Sequence, residues 1–183
     1  MATRAVPAPL AQIPNALTIA RLALVPVFIG LVLASDHGHS WAAAIVFALA
    51  AITDQIDGWL ARRWHVESEF GKVADPLADR LMIDSAVLLL YLADRLPWAA
   101  LLILVRDLAL LSGYKLVAPR GFDLSVSFLG KLATWILYAS LAFVLATHEG
   151  TRWPIWMFWI GFAIAVAAGA LYLASAWRQV RSA

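Results

Sequence analysis

The chain is a series of long apolar runs separated by short polar breaks. The first run, Leu17 to Ala34, contains a single charged residue, Arg21. The second extends from Trp41 to about Trp64, and the third from near Val73 to Ala93. A fourth covers about Pro97 to Val117, a fifth Phe128 to Thr147, and a sixth Pro154 to Trp177. Runs of about 18 or more apolar residues predict membrane helices, because a helix needs about that length to cross the hydrocarbon. Barrel strands would alternate and be about half as long. A removable secretory leader fits the first run poorly, since Arg21 lies inside the apolar stretch rather than before it.

Composition agrees. Of 183 residues, 63% are hydrophobic and 14% are charged, and the mean hydropathy is +0.80. An ordinary soluble domain carries about 25% charged residues. These values exclude a soluble globule, a disordered chain and a collagen-like repeat. They predict an all-α integral membrane protein with six transmembrane helices in one domain, residues 1–183. No internal repeat or low-complexity linker is visible. Residues 1–13, with Pro7 and Pro9, are expected to be mobile or to lie along the membrane surface. Cysteine is absent, which removes disulfides, thiol catalysis and Cys-ligated zinc. A net charge of +2 is too small for a nucleic-acid footprint, so no nucleic-acid partner is expected.

The placement of charge predicts the topology. The connections after spans one, three and five hold Asp36 to Ser40, Asp94 to Leu96 and His148 to Arg152, with Arg95 and Arg152 as their basic residues. The opposite side holds Arg4, Arg62, Arg63, Lys72, Lys115, Arg120, Lys131, Arg178 and Arg181. Basic residues stay on the cytoplasmic side, so both termini are expected there. Trp41, Trp98, Trp153 and Trp156 mark the outer ends of spans, and Trp64 and Trp177 the inner ends. Tryptophans so placed sit at bilayer interfaces.

The acids are in the wrong places for such a protein. Asp54 and Asp57 fall in span two, and Asp75, Asp79 and Asp84 at the start of span three. An Asp at a span centre costs roughly 2.5–3.5 kcal/mol on insertion. Such residues must face a wet cavity or a partner. Asp54, Asp57, Gly58 and Ala61 share one helical face, and so do Gly71, Asp75 and Asp79. If Arg63 marks the cytoplasmic end of span two, Asp57 lies about 9 Å inside it and Asp54 about 13 Å, at 1.5 Å per residue. The connection to span three is short, so the two acidic faces can meet at one depth.

Clustered carboxylates cannot all stay ionised unaided. Oxygen ligands without His or Cys suit Mg²⁺ or Mn²⁺, and two carboxylate pairs could hold two ions. Two such ions can clamp the attacking and leaving oxygens of a phosphoryl displacement. Gly58 and Gly71 leave room for a bulky group, and Arg62 stands ready to pair with phosphate. From the residues alone, this is a metal-dependent enzyme acting on a phosphate-bearing lipid at the inner leaflet.

The string Asp54-x-x-Asp57-Gly58-x-x-Ala61-Arg62, then eight residues, then Gly71-x-x-x-Asp75-x-x-x-Asp79, resembles the signature of the CDP-alcohol phosphatidyltransferase family at every position. Eight fixed residues at about 5% usage each make a chance match of order 10⁻¹¹ per start site. Pro14-Asn15-x-Leu17-Thr18-x-x-Arg21 is similar to the first span of its bacterial members. The resemblance implies six spans in the cell membrane, with the active site facing the cytoplasm. It implies attack by an alcohol on CDP-diacylglycerol with release of CMP. It also implies that Asp54, Asp57, Asp75 and Asp79 are metal ligands, with Asp79 as the general base. Gly58, Ala61, Arg62 and Gly71 would seat the CDP-lipid. A homodimer is a further implication of the family.

The acceptor rests on less. Arg106 in span four and Lys131 at the start of span five, with Gly130 and Thr134, are the candidates to hold an acceptor phosphate. Gly130-Lys131-x-x-Thr134 resembles a Gly-Lys-x-Lys-Thr stretch of the members that make phosphatidylglycerophosphate, but Ala133 replaces the second Lys. Arg106-Asp107 stands where those members show Arg-Glu, and it also resembles the Arg-Asp of members that make cardiolipin. Glycerol-3-phosphate is the expected acceptor, with phosphatidylglycerol as the alternative.

Other features have plainer readings. Arg63 anchors the interface. Asp84 either pairs with Arg106 or lines a solvated cavity. His37 and His39 are solvated loop residues rather than a metal pair. Gly161, Ala165 and Gly169 form small-x-x-x-small patterns suited to close helix packing, within the chain or at a dimer seam. Against the enzyme stand a small cation or proton transporter, whose acids would be spread through the full membrane depth, and a helix-packing scaffold, which has no use for four acids in register.

Overall fold

A computed structural model describes residues 13–64, 69–108 and 128–182. Residues 1–12 of the expected N-terminal surface segment lie outside these residues, as does most of the second half of span four. Six helices are described: α1 (Ile13–Leu33), α2 (Trp41–Trp64), α3 (Glu69–Leu92), α4 (described over 102–108), α5 (Phe128–Ala146) and α6 (Trp153–Ser182). A 3₁₀ turn, Trp98–Leu101, leads into α4. There is no strand among the described residues. The apolar runs are thus helices, and α2 has the predicted bounds.

By length and apolarity, Asn15–Leu33, Phe128–Ala146 and Trp153–Leu171 can each cross a membrane, and Trp41–Ile56 is a shorter apolar helix. The helices α2 and α3 fall short for a physical reason. Charged residues occupy the C-terminal part of α2 (Asp54, Asp57, Arg62, Arg63) and the N-terminal part of α3 (Glu69, Lys72, Asp75, Asp79, Arg80).

Local chemistry sets the helix ends. Ser40 caps α2: its Oγ accepts from the Ala43 N–H at 3.1 Å, as an N-cap serine does. Its own N–H donates to the Leu145 carbonyl at 2.9 Å, which ties the start of α2 to the end of α5. Asp94 ends α3 in the left-handed region (φ 57°). Arg95 N–H then returns to the Leu90 carbonyl (2.8 Å) and Asp94 N–H to that of Tyr91 (3.0 Å), the Schellman pattern. Gly38, at φ +68°, sits in the turn between α1 and α2, where an added Cβ would lie 2.9 Å from Ala93 Cβ. That turn therefore needs glycine.

In the assembled bundle α1 packs on α2 and α3, α2 and α3 each pack on α5, and α5 packs along α6. Phe28, Phe47, Leu90, Leu141 and Phe158 are fully buried between these helices. Apolar burial drives association weakly in lipid, so close backbone approach and buried polar pairs matter more. Gly161 shows the first. A Cβ there would stand 3.0 Å from Ile136 and 3.2 Å from the Leu137 nitrogen, so α6 touches α5 at this point. Ala165 is buried on the same stripe, while Gly169 has open space beside it. The small-residue pattern is thus used inside the chain at Gly161 and Ala165.

Arg95, counted in the sequence among the basic residues of a connection, is buried. Its Nη2 donates to the carbonyls of Val144 (2.7 Å) and Thr147 (2.6 Å), and its Nη1 to that of His37 (3.4 Å). A cation at a helix C-terminus meets carbonyls that have no partner within the helix. Burial pushes the guanidinium pKa down from its ordinary value, and Glu149 opposes the shift. Around this plug, His37 is exposed and pairs with Glu149 at 3.3 Å, and His39 stacks on His148 at 4.2 Å.

Candidate active site

The continuous helix α2 places the backbone positions of Asp54, Asp57, Gly58 and Ala61 on one face, as their spacing requires. The helix α3 does the same for Gly71, Asp75 and Asp79. The side chains of Asp57, Ala61, Arg62, Gly71 and Asp75 lie outside the described set, so the site is built here from Asp54 and Asp79.

Asp54 faces α1. Its Oδ1 is 2.7 Å from Arg21 Nη1, and the Arg21 side chain has no solvent exposure. Gln55 Nε2 donates to its Oδ2 at 3.2 Å. Thr18, one turn before Arg21, is also buried. The lone charge of the first apolar run is thus turned inward onto the first acid of the signature.

Asp79 faces α5. Its Oδ1 accepts a hydrogen bond from the hydroxyl of Tyr138. The Tyr138 ring is buried, 5.1 Å from that of Phe47 on α2, and Phe47 lies 5.4 Å from Phe28 on α1. The last acid of the signature is thus held by a phenol from α5.

Beyond Asp79 lies a second charged group. Asp107 on α4 is buried and binds two arginines, Arg80 of α3 and Arg106 beside it (2.7 Å for Arg106). Arg106 also donates from Nη2 to the Ala165 carbonyl of α6 at 3.2 Å. Of the two readings of Asp84, pairing with Arg106 is not the one seen: the guanidinium binds Asp107 and the Ala165 carbonyl instead. Asp84 is half-buried, and its Oδ1 has no hydrogen-bond partner among the described residues. Lys131 is exposed on the first turn of α5. It stands two turns before Tyr138 on the same face, about 10 Å along the axis. Thr134 Oγ1 bonds the Gly130 carbonyl at 3.1 Å.

Comparison with known proteins settles the family. Residues 11–167 match the family profile described as CDP-alcohol phosphatidyltransferase. The chain belongs to that family. It is therefore an enzyme, a CDP-alcohol phosphatidyltransferase, with the membrane character and the role in phospholipid synthesis that go with it. A CDP-diacylglycerol–glycerol-3-phosphate 3-phosphatidyltransferase of Bacillus subtilis is 31% identical over 93% of this chain and 98% of its own. A CMP-forming cardiolipin synthase of Streptomyces coelicolor is 37% identical over 93% of this chain and 85% of its own. A probable phosphatidylglycerophosphate synthase of Mycobacterium tuberculosis is 38% identical over 77% of this chain and 69% of its own.

For a phosphatidyltransferase the described donors suit a hard cation. Asp54 and Asp79 are oxygen donors on adjoining helices, and no cysteine exists to favour a softer metal. No cluster of three acidic or histidine side chains forms among the described residues. Sequence reasoning missed Tyr138, Arg80 and the partner role of Arg21. A buried tyrosine in an apolar helix reads as core or belt, and only its contact with Asp79 distinguishes it.

Proposed function

We propose that this phosphatidyltransferase moves the phosphatidyl group of CDP-diacylglycerol to glycerol-3-phosphate, releasing CMP and forming phosphatidylglycerophosphate. The observation that carries the reading is the complete signature on α2 and α3, with Asp54 and Asp79 held from outside it by Arg21 and Tyr138. In this reading all six helices span the cell membrane, both termini are cytoplasmic, and the site opens to the cytoplasm. The charge asymmetry of the loops supports that orientation. The enzyme would work as a homodimer.

Asp54, Asp57, Asp75 and Asp79 would hold Mg²⁺ or Mn²⁺, two ions in all. The bound ions would supply charge stabilisation on the diphosphate and acidify the acceptor hydroxyl. Gly58, Ala61, Arg62 and Gly71 would seat the cytidine diphosphate. Arg62 pairs with its phosphates, and the glycines let it approach the backbone. Asp79 takes the proton of the acceptor hydroxyl as that oxygen attacks the β-phosphorus, and CMP departs on the far side. Lys131 and Arg106 meet the acceptor phosphate. Lys131 stands on the face of α5 that carries Tyr138, so a phosphate there places the acceptor toward Asp79.

A second reading has phosphatidylglycerol as the acceptor. It is favoured by the 37% identity to the Streptomyces coelicolor cardiolipin synthase and by Asp107 after Arg106. An acceptor competition separates the two. Purified protein with CDP-diacylglycerol is offered glycerol-3-phosphate, phosphatidylglycerol, inositol phosphate and serine. Product from glycerol-3-phosphate supports the first reading, and product from phosphatidylglycerol alone replaces it with the second.

A further inference from the structure

The two described acids of the signature are held in different ways. Asp54 receives a cation, the buried guanidinium of Arg21. Asp79 receives a neutral donor, the Tyr138 hydroxyl. The cation next to Asp79 in the chain, Arg80, turns away to Asp107. Asp79 thus makes no ion pair among the described residues. A carboxylate that must accept a proton is better served by a neutral donor, which orients it without cancelling its charge, than by a salt bridge.

The phenol is fixed by more than this hydrogen bond. Tyr138 is buried on α5 between Leu137 and Leu141, which are themselves buried. Its ring leans on Phe47 at 5.1 Å and 45°, and Phe47 leans on Phe28 at 5.4 Å. This aromatic row crosses α5, α2 and α1, and packing of that kind restricts the ring to one rotamer. The hydroxyl therefore has a set position, with the Asp79 Oδ1 directly before it and the Asp79 carbonyl at 3.5 Å. Engaging Oδ1 restrains rotation of the carboxylate and leaves Oδ2 outside this bond. A misplacement of about 1 Å at a reacting group can cost on the order of 100-fold in rate.

We propose that Tyr138 is a positioning residue for Asp79: anchored by Phe47, it holds one carboxylate oxygen so that the other is presented to the acceptor hydroxyl. The proposal rests on the reading of Asp79 as the base. A residue that only filled space would affect folding. A residue that aimed the base affects turnover.

The test is Tyr138→Phe in the purified full-length enzyme, which removes the hydroxyl and keeps the ring. The expected kcat for CMP release falls about 10- to 100-fold. KM for CDP-diacylglycerol and for the acceptor stays at the wild-type value, as do the melting temperature and Mn²⁺ binding followed by electron paramagnetic resonance. Tyr138→Leu, apolar and unable to donate, is read the same way if the Phe variant does not accumulate. A wild-type kcat in Tyr138→Phe overturns the proposal, and so does a loss confined to KM or to Mn²⁺ binding. Infrared difference spectra separate this failure from failure of the functional reading. The carboxylate band of Asp79, assigned with Asp79→Asn, shifts when the Tyr138 hydroxyl is removed. An unshifted band overturns the proposal whatever the acceptor proves to be.

Discussion

Arg21 and Asp54 meet across α1 and α2 at 2.7 Å, with the Arg21 side chain sealed from solvent. A buried cation at this depth is costly unless its partner is present, and breaking such a pair by removing one member costs about 3–5 kcal/mol. Asp54→Leu, which takes the carboxylate from the sealed guanidinium, is therefore expected to lower the stability of the detergent-solubilised protein by about that amount. The double variant Arg21→Met/Asp54→Leu regains much of the loss, since both members of the pair are replaced, but stays inactive without Asp54. Thermal unfolding alongside CMP release checks both halves. A double variant as unstable as the single one would count against the pair.

Asp107 binds Arg80 and Arg106 at once, and Arg106 reaches on to Ala165. Arg106→Gln is expected to raise KM for glycerol-3-phosphate about tenfold or more, each tenfold being about 1.4 kcal/mol. KM for CDP-diacylglycerol should be unaffected. Steady-state kinetics with each substrate varied in turn gives the answer, and equal effects on both KM values would move Arg106 out of the acceptor pocket.

Arg95 donates to carbonyls of Val144, Thr147 and His37 on the side of the bundle remote from the signature. Arg95→Met keeps the aliphatic stem and strips the donors. Each buried carbonyl left unpaired costs about 1–3 kcal/mol. A clear drop in melting temperature is expected, with kcat at the wild-type level in protein that remains folded.

Gly161 leaves no room for a side chain against α5, where a Cβ would stand 3.2 Å from the Leu137 nitrogen. Gly161→Val should cost about 1–3 kcal/mol through overpacking. Gly169→Ala, in open space, should be neutral within the chain. Melting curves of the two variants test whether the small-residue stripe is used at Gly161 but not at Gly169.

The helices were legible in the sequence because each is a long apolar run, and Trp41–Trp64 was bounded by its tryptophans. The acidic site was legible because aspartates are costly inside such runs and their spacing matches one helix turn. The partners were not. Tyr138 and Asp79 are 59 positions apart, and no local pattern joins them. Arg95 read as a topology signal because its position in a short loop says nothing of the carbonyls that converge on it. The sequence left Asp84 open between a pair with Arg106 and a solvated wall, and it is Asp107, adjacent in the chain, that binds the guanidinium.

The most direct test of phosphatidyl transfer at this site is CMP release from CDP-diacylglycerol by the purified protein, with Mg²⁺ and glycerol-3-phosphate present. With phosphatidyl transfer at this site, phosphatidylglycerophosphate forms in step with CMP, no CMP is released in EDTA, and Asp79→Asn loses at least about 100-fold. CMP release that survives EDTA, or that proceeds unchanged in Asp79→Asn, would contradict it.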